Sequence, residues 1–439
     1  MSRGGGGWRN PLSARVRRRP SRSPRAAWPN RGLAVALVAG GALLGWWLPH
    51  AERNHQLGGL SYAPAAAQAT LGAIAAGIIT LTGFVLTAVT LVVQSVQSMS
   101  PRLAGILGYF ERSLVLFGAL TGTAVYALVV LAQVGDEHVP HLSVTLAIVL
   151  VVLSTGMILG TLAGLREVIT GGGLVRTVGQ RLHAALDHTW LDTHPPEPAA
   201  TTPPAGHRPG DTVLTAAGGG VVQYVNGPAV AAIAGRNDVR VICLTAVGGF
   251  VEPGTPLLRV TPVAPPATLP EADARRLVRA VRLGPSRRID HDPAYGLRLL
   301  VDVAIRALSP AVNDPTTAVQ ALDQIEAALL RLATRPLAHA SVRDRAGTVR
   351  VTVPRPDWDA LLDLSLAEIL AYGADSLQVQ RRLRALLDTV ARALPPSRAA
   401  TLAPYRAVLD RTAHALPDPS MTRTATTPDP QGLGGPAPV

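Results

Sequence analysis

The densest grouping of side chains able to hold a metal or move a proton is Asp290-His291-Asp292, an imidazole between two carboxylates. Oxygen and imidazole donors suit a divalent cation. Three consecutive loop residues cannot all face one ion, so a site here needs a ligand from elsewhere, such as Asp314. A turn that starts a helix is the competing use of the same residues. A second set, Thr80, Thr87, Thr90, Gln94 and Gln97, recurs with Gly72, Ala76 and Gly83 along one face of an apolar stretch. Uncharged hydroxyls and amides at that spacing either satisfy one another between packed helices or line a pore. There is no His-Glu-x-x-His, no glycine-framed serine and no dinucleotide fingerprint between a strand and a helix. No nucleophile, base and oxyanion set can be assembled, so the sequence points away from an enzyme and implies no cofactor.

Composition narrows the chemistry further. All 41 basic residues are arginine, which excludes Schiff-base catalysis, a phosphate-loop lysine and biotin or lipoyl attachment. The single cysteine, Cys243, rules out an intramolecular disulfide and a cysteine-rich zinc site, and its apolar surroundings, Val239 to Leu244, read as a buried strand. Of 439 residues, 48% are hydrophobic and only 16% charged, a balance that suits a membrane protein.

Four apolar stretches, Gly32–Pro49, Ala66–Met99, Ser113–Val134 and Leu142–Leu165, approach or exceed the length a helix needs to cross a bilayer, and none contains Asp, Glu, Arg or His. The second is overlong and is expected to tilt or to project before Ser100-Pro101. Charge-free spans disfavour ion-coupled pumps, which keep ionisable groups at membrane depth. Nine arginines and no acid occupy residues 1–31; Arg102 and Arg112 follow the second span, and Arg166, Arg176 and Arg181 follow the fourth, against Arg53 alone in the alternate loops. The positive-inside rule then puts both termini in the cytoplasm and Trp46-Trp47 at the outer interface. The arginine tail leads straight into a span, so topology explains it better than nucleic-acid binding, which is not expected. A cleaved signal peptide is a competing reading of the first span, but Trp46-Trp47-Leu48-Pro49 lacks the small residues a processing site favours.

The expected order is an α-helical membrane bundle of four spans followed by a cytoplasmic region with a small β barrel or sandwich and a mainly helical α+β domain. The segments are an arginine-rich tail (1–31), the transmembrane domain (32–165), an amphipathic helix and Pro-rich linker (166–210), the barrel-like domain (211–263), the helical α+β domain (271–416) and a Thr-, Pro- and Gly-rich tail expected to be disordered (417–439). Gly248–Leu257 resembles the turn of biotinyl/lipoyl-like hybrid barrels, a hint about fold alone because the modified lysine is absent. Arg298, Asp302 and Arg306 form a four-spaced ladder, read as a solvated helix face. Asp314 is the expected N-cap of a helix whose first residue is Pro315.

The run Arg287-Arg288-Ile289-Asp290-His291-Asp292-Pro293-Ala294-Tyr295-Gly296, with Leu308-Ser309-Pro310-Ala311-Val312-Asn313-Asp314-Pro315-Thr316-Thr317, resembles the signature of a bacterial predicted-membrane-protein family, domain of unknown function 2254. Val92-Val93-Gln94-Ser95 and Ser100-Pro101-Arg102 are similar to it as well. The resemblance covers residues 30 to 410 and implies an integral membrane protein in which the loop carrying Ser309, Pro310, Asn313, Asp314 and Pro315 has a shared role. Two functional readings follow. One is a self-associating passive channel or membrane sensor with a cytoplasmic vestibule, lined by Thr80, Thr87, Thr90, Gln94 and Gln97. The other is a membrane-anchored regulatory protein whose Arg298–Arg306 surface or barrel docks a cytosolic partner.

Overall fold

A computed structural model describes residues 27–55, 60–99, 109–135, 138–169, 172–190, 210–263, 269–337 and 339–434. The arginine tail up to residue 26, the Ser100-Pro101-Arg102 segment and most of the Pro-rich linker lie outside the described residues. The chain divides into two compact units, residues 1–90 with 108–162 and residues 91–107 with 163–439.

In the first unit four helices are long and apolar enough to cross a membrane: α1 (Ala27–His55), α2 (Pro64–Met99), α3 (Tyr109–Leu131) and α4 (His141–Ile169). The close approach of α1 to α3 is made by glycine. A Cβ built on Gly122 would fall 2.6 Å from the Leu37 carbonyl oxygen, and one on Gly41 2.2 Å from that of Gly122, so α1 and α3 touch backbone to backbone. Gly156 and Gly160 of α4 have nothing within 4 Å among the described residues. The buried face of α2 is Ala67, Leu71, Ala75, Ile78, Val85 and Val89, which recur every three, four or seven residues.

The first span was expected to end at Pro49, yet α1 runs through it to His55. Proline has no N–H for the carbonyl four residues back, Gly45, and a bare carbonyl is costly at membrane depth. The Gln133 side chain supplies the missing donor, its Nε2 lying 2.7 Å from the Gly45 oxygen. The extra turn delivers Glu52, 6% exposed, to the start of α4. There it accepts from the Leu142 amide at 3.0 Å, the Ser143 amide at 2.7 Å and the Ser143 hydroxyl. These are the amides a helix leaves unpaired, and a carboxylate is favoured there by the helix dipole.

The second unit opens with α5 (Gly173–Thr189), followed by β1 (Thr212–Thr215), β2 (Gly220–Val225), α6 (Gly227–Arg236), β3 (Val239–Cys243), β4 (Phe250–Val251), β5 (Pro256–Pro262), α7 (Glu271–Ala280) and β6 (Val281–Gly284). Then come α8 (Pro293–Ala307), α9 (Pro315–Leu332), β7 (His339–Arg343), β8 (Val349–Pro354), α10 (Trp358–Tyr372), α11 (Leu377–Ala393), a helical turn at Pro396–Ala399, α12 (Ala403–His414) and α13 (Pro419–Thr426). The expected small barrel does not form: neither sheet closes. Five strands make an open sheet in the order β1-β5-β3-β8-β7, and three make a second, β4-β2-β6. The pair β7 and β8, inside the segment read as the helical α+β domain, lies against β3, with Val241 opposite Val351 in parallel register. A barrel needs its last strand to return to its first. Here the edge of β3 is taken by β8 from a distant part of the chain, and Ala340, Val351 and Val353 join the core that α6 covers.

Two further expectations are corrected. The Arg298 ladder is solvated only at Arg306: Arg298 Nε donates to Asp302 at 2.7 Å, and its guanidinium clasps Glu368 of α10, binding two helices together. The tail is not wholly disordered, because α13 forms and the following turn is fastened to α11. Arg381 donates to the carbonyls of Thr427 and Gly434, Arg384 to that of Ala425 and Gln378 to that of Gly432. Asp429 closes the turn on the amides of Gly432 and Gly434. Apolar content predicts disorder, and polar bonds to backbone replace it here.

Gly122→Ala is expected to force α1 and α3 apart and destabilise the protein by about 1–3 kcal/mol, read as a lower thermal midpoint in detergent. Gly156→Ala in α4 should stay within about 0.5 kcal/mol of the parent in a monomeric preparation. Glu52→Ala, which leaves the α4 amides bare, should cost about 1–2 kcal/mol in the same measurement.

Candidate functional site

On α2, Thr80, Thr87, Thr90 and Gln94 are exposed, on the side opposite the buried face. Each threonine hydroxyl donates to the carbonyl four residues earlier, to Ala76 at 2.9 Å, Gly83 at 3.0 Å and Leu86 at 2.8 Å. The hydroxyls are therefore satisfied within their own helix rather than between helices of the bundle, while their oxygens can still accept. Gly72 and Gly83, on the same face, have nothing within 4 Å among the described residues. The side chain of Gln97 lies outside the described residues.

Asp290, His291 and Asp292 occupy a helical turn leading into α8, and their side chains diverge. Asp290 pairs with Arg288 at 3.0 Å. His291 packs its ring 4.5 Å from that of Tyr224 on β2, and burial lowers its pKa, opposed by the charge of Asp290. Asp292 turns inward: its Oδ1 accepts from the Tyr295 amide at 3.1 Å and caps α8. Its Oδ2 makes no hydrogen bond among the described residues, with Arg287 Nη1 3.9 Å away. Burial pushes the Asp292 carboxyl up to about 6, against the opposing pull of the Tyr295 amide and of Arg287. Asp314 follows the other end of α8, which at 15 residues is about 22 Å long, so it is no neighbour of this turn. Among the described residues no three His, Cys, Asp or Glu side chains converge to hold a metal.

The Asp292 corner joins two segments that the sequence treats separately. Gly248, from the Gly-Gly-Phe-Val-Glu-Pro-Gly turn, has φ +91°, and a Cβ there would lie 2.4 Å from Asp292 Oδ2. Arg287 Nε donates to the Gly248 carbonyl at 2.9 Å. Glycine is required twice over, by its backbone angle and by the carboxylate against it.

The Ser309–Pro315 loop is closed by its own backbone. The Ser309 carbonyl accepts from Val312 at 3.0 Å and Asn313 at 2.9 Å, and Asp314 N donates to Ala307 O at 2.8 Å. Asn313 sits at φ +47°, a left-handed conformation that asparagine tolerates better than most residues. Asp314 caps α9 through the Thr317 amide at 3.1 Å, with proline in the first turn. Helix geometry accounts for Ser309, Asn313, Asp314 and Pro315, and Pro310 is exposed at the tip. Glu52 and Gln133 escaped sequence reasoning; a proline inside an otherwise continuous apolar helix was the available signal.

Four candidate membrane spans and a mixed two-sheet region define a membrane protein with an attached α+β domain. The family described as predicted membrane protein, DUF2254, matches residues 25–389, and the chain belongs to it. Two uncharacterised proteins, one from Mycobacterium bovis and one from Mycobacterium tuberculosis, are each 30% identical over 351 residues, covering 76% of this chain. The chain spans 66% of the length of those relatives. No solved structure matches it.

The raised Asp292 carboxyl gives a signed prediction. Between its ordinary value of 3.8 and about 6 the folded protein holds a proton that the unfolded chain releases. The associated stability is in full below the lower value and is lost as pH climbs to the upper one, on the order of 3 kcal/mol in all. Asp292→Asn keeps the capping oxygen and removes the charge. Thermal midpoints measured from pH 4 to 7.5 should flatten over that window, with the variant more stable than the parent at pH 7.5.

Proposed function

We propose that the protein self-associates in a bacterial inner membrane, with both termini in the cytoplasm, and that copies of α2 bring their weakly polar faces together around a passive conduit. The observation that carries this reading is the position of Thr80, Thr87, Thr90 and Gln94 on the side of α2 left open by packing among the described residues. Small residues with internally bonded hydroxyls let helices approach closely without stranding polar groups in lipid, and they present oxygens to a permeating solute. The candidate spans of α2, α3 and α4 contain no Asp, Glu or Arg, which suits passive flow better than ion-coupled transport. The region after the fourth span is then cytoplasmic and contributes the vestibule.

The docking alternative loses its most specific surface, because Arg298 is held by Asp302 and Glu368. The buried Cys243 makes cysteine reporters clean. Thr87→Cys is expected to form disulfide-linked dimers in native membranes, and the parent protein in planar bilayers should conduct under tension or voltage. Thr87→Leu and Gln94→Leu should reduce that conductance severalfold. Absence of both cross-linking and current would overturn the proposal. Protease added to intact cells should leave the region after residue 210 uncut; its digestion would reverse the orientation.

A further inference from the structure

Many arginines of the second unit are tied to carboxylates or carbonyls, but around one groove they are only partly engaged. The groove is shallow and open, has a volume of about 560 Å³, lies between α6 and α7, and is lined by Ala232, Ile233 and Ala280, with Arg236, Arg276 and Arg279 around it. Asp273, its side chain 13% exposed, accepts from Arg276 Nη1 at 2.9 Å and from Asn237 Nδ2 at 2.9 Å, and stands 3.8 Å from Arg236 Nη2. One carboxylate thus sets guanidinium groups arriving from two helices. It also offsets only one of three positive charges. Arg279 follows Arg276 by three residues on the same face of α7 and makes no hydrogen bond or ion pair among the described residues.

We infer that this groove binds a phosphate ester: its guanidinium groups take the phosphate oxygens, and its apolar floor takes the uncharged body of the same molecule. Guanidinium presents paired N–H donors at the spacing of phosphate oxygens, and Arg276 keeps donors free after its bond to Asp273. Asp273 and Asn237 hold part of the donor set in place before any ligand arrives, which lowers the cost of binding. The same chemistry is carried by soluble nucleotides and by anionic phospholipid head groups. The inference is independent of the conduit, since it concerns binding alone.

The test uses the full chain in phosphatidylcholine nanodiscs. Calorimetric titration with AMP probes the soluble source. Native mass spectrometry of discs doped with phosphatidylglycerol probes the bilayer source. Binding of either probe is expected, weakened at least tenfold by Arg276→Gln combined with Arg279→Gln and unchanged by Arg240→Gln, which alters an exposed arginine on β3. Ala232→Glu, which places a carboxylate on the floor and retains all three arginines, should weaken binding equally at an unaltered thermal midpoint. AMP binding without lipid retention assigns the soluble ester, and lipid retention without AMP binding assigns the head group. If the parent takes up neither probe, or if parent and variants bind alike, the inference fails.

Discussion

Hydrocarbon offers no hydrogen bonds, and the membrane unit is organised around that fact. At two places where a helix breaks or begins its ladder, a side chain from elsewhere completes it. Gln133 donates to the carbonyl that Pro49 cannot serve, and Glu52 accepts from the amides with which α4 begins. Both repairs bind α1 to its neighbours near one end of the bundle. Glycine contacts fasten the same helix to α3 further along, so α1 is held by polar bonds at one place and by backbone contact at others. The threonines of α2 solve the same problem alone, each returning its proton to the preceding turn.

In the second unit arginine is the general fastener. Arg298 joins α8 to α10, and Arg382 pairs with Asp323 and Glu326 of α9. Arg355, pushed down to about 10 by burial, donates to the Thr189 carbonyl at the end of α5 and lies over the Trp190 ring. A cation at a helix C-terminus complements the exposed carbonyls there. With no lysine in the chain, every such brace is a planar fork able to hold two acceptors at once.

Much of this was legible in the sequence because it rests on local rules. The four spans follow from apolar run length, and the N-cap at Asp314 from Asp-Pro spacing. What escaped prediction is non-local. Nothing near Val239–Cys243 signals that its partner strand is Val349–Pro354, so a barrel was the natural expectation from the strands at hand. The arginine ladder on α8 read as solvated because Glu368 lies 70 residues away. Composition called residues 417–439 disordered because it counts apolar side chains, whereas Arg381, Arg384 and Gln378 grip that segment by its carbonyls. In the candidate site, the residue types on α2 were readable but their outward direction was not. The Asp290-His291-Asp292 cluster scattered, because three adjacent side chains point three ways.

The parallel pairing of β3 with β8 has a consequence for biosynthesis. Roughly 110 residues separate Val241 from Val351, so a ribosome adding about 5–20 residues per second exposes the unpaired border of β3 for about 5–20 s before its neighbour emerges. An open strand border is a template for association with other nascent chains. Arg240, projecting from β3 itself, places a charge beside that border, which discourages such encounters until the sheet is complete.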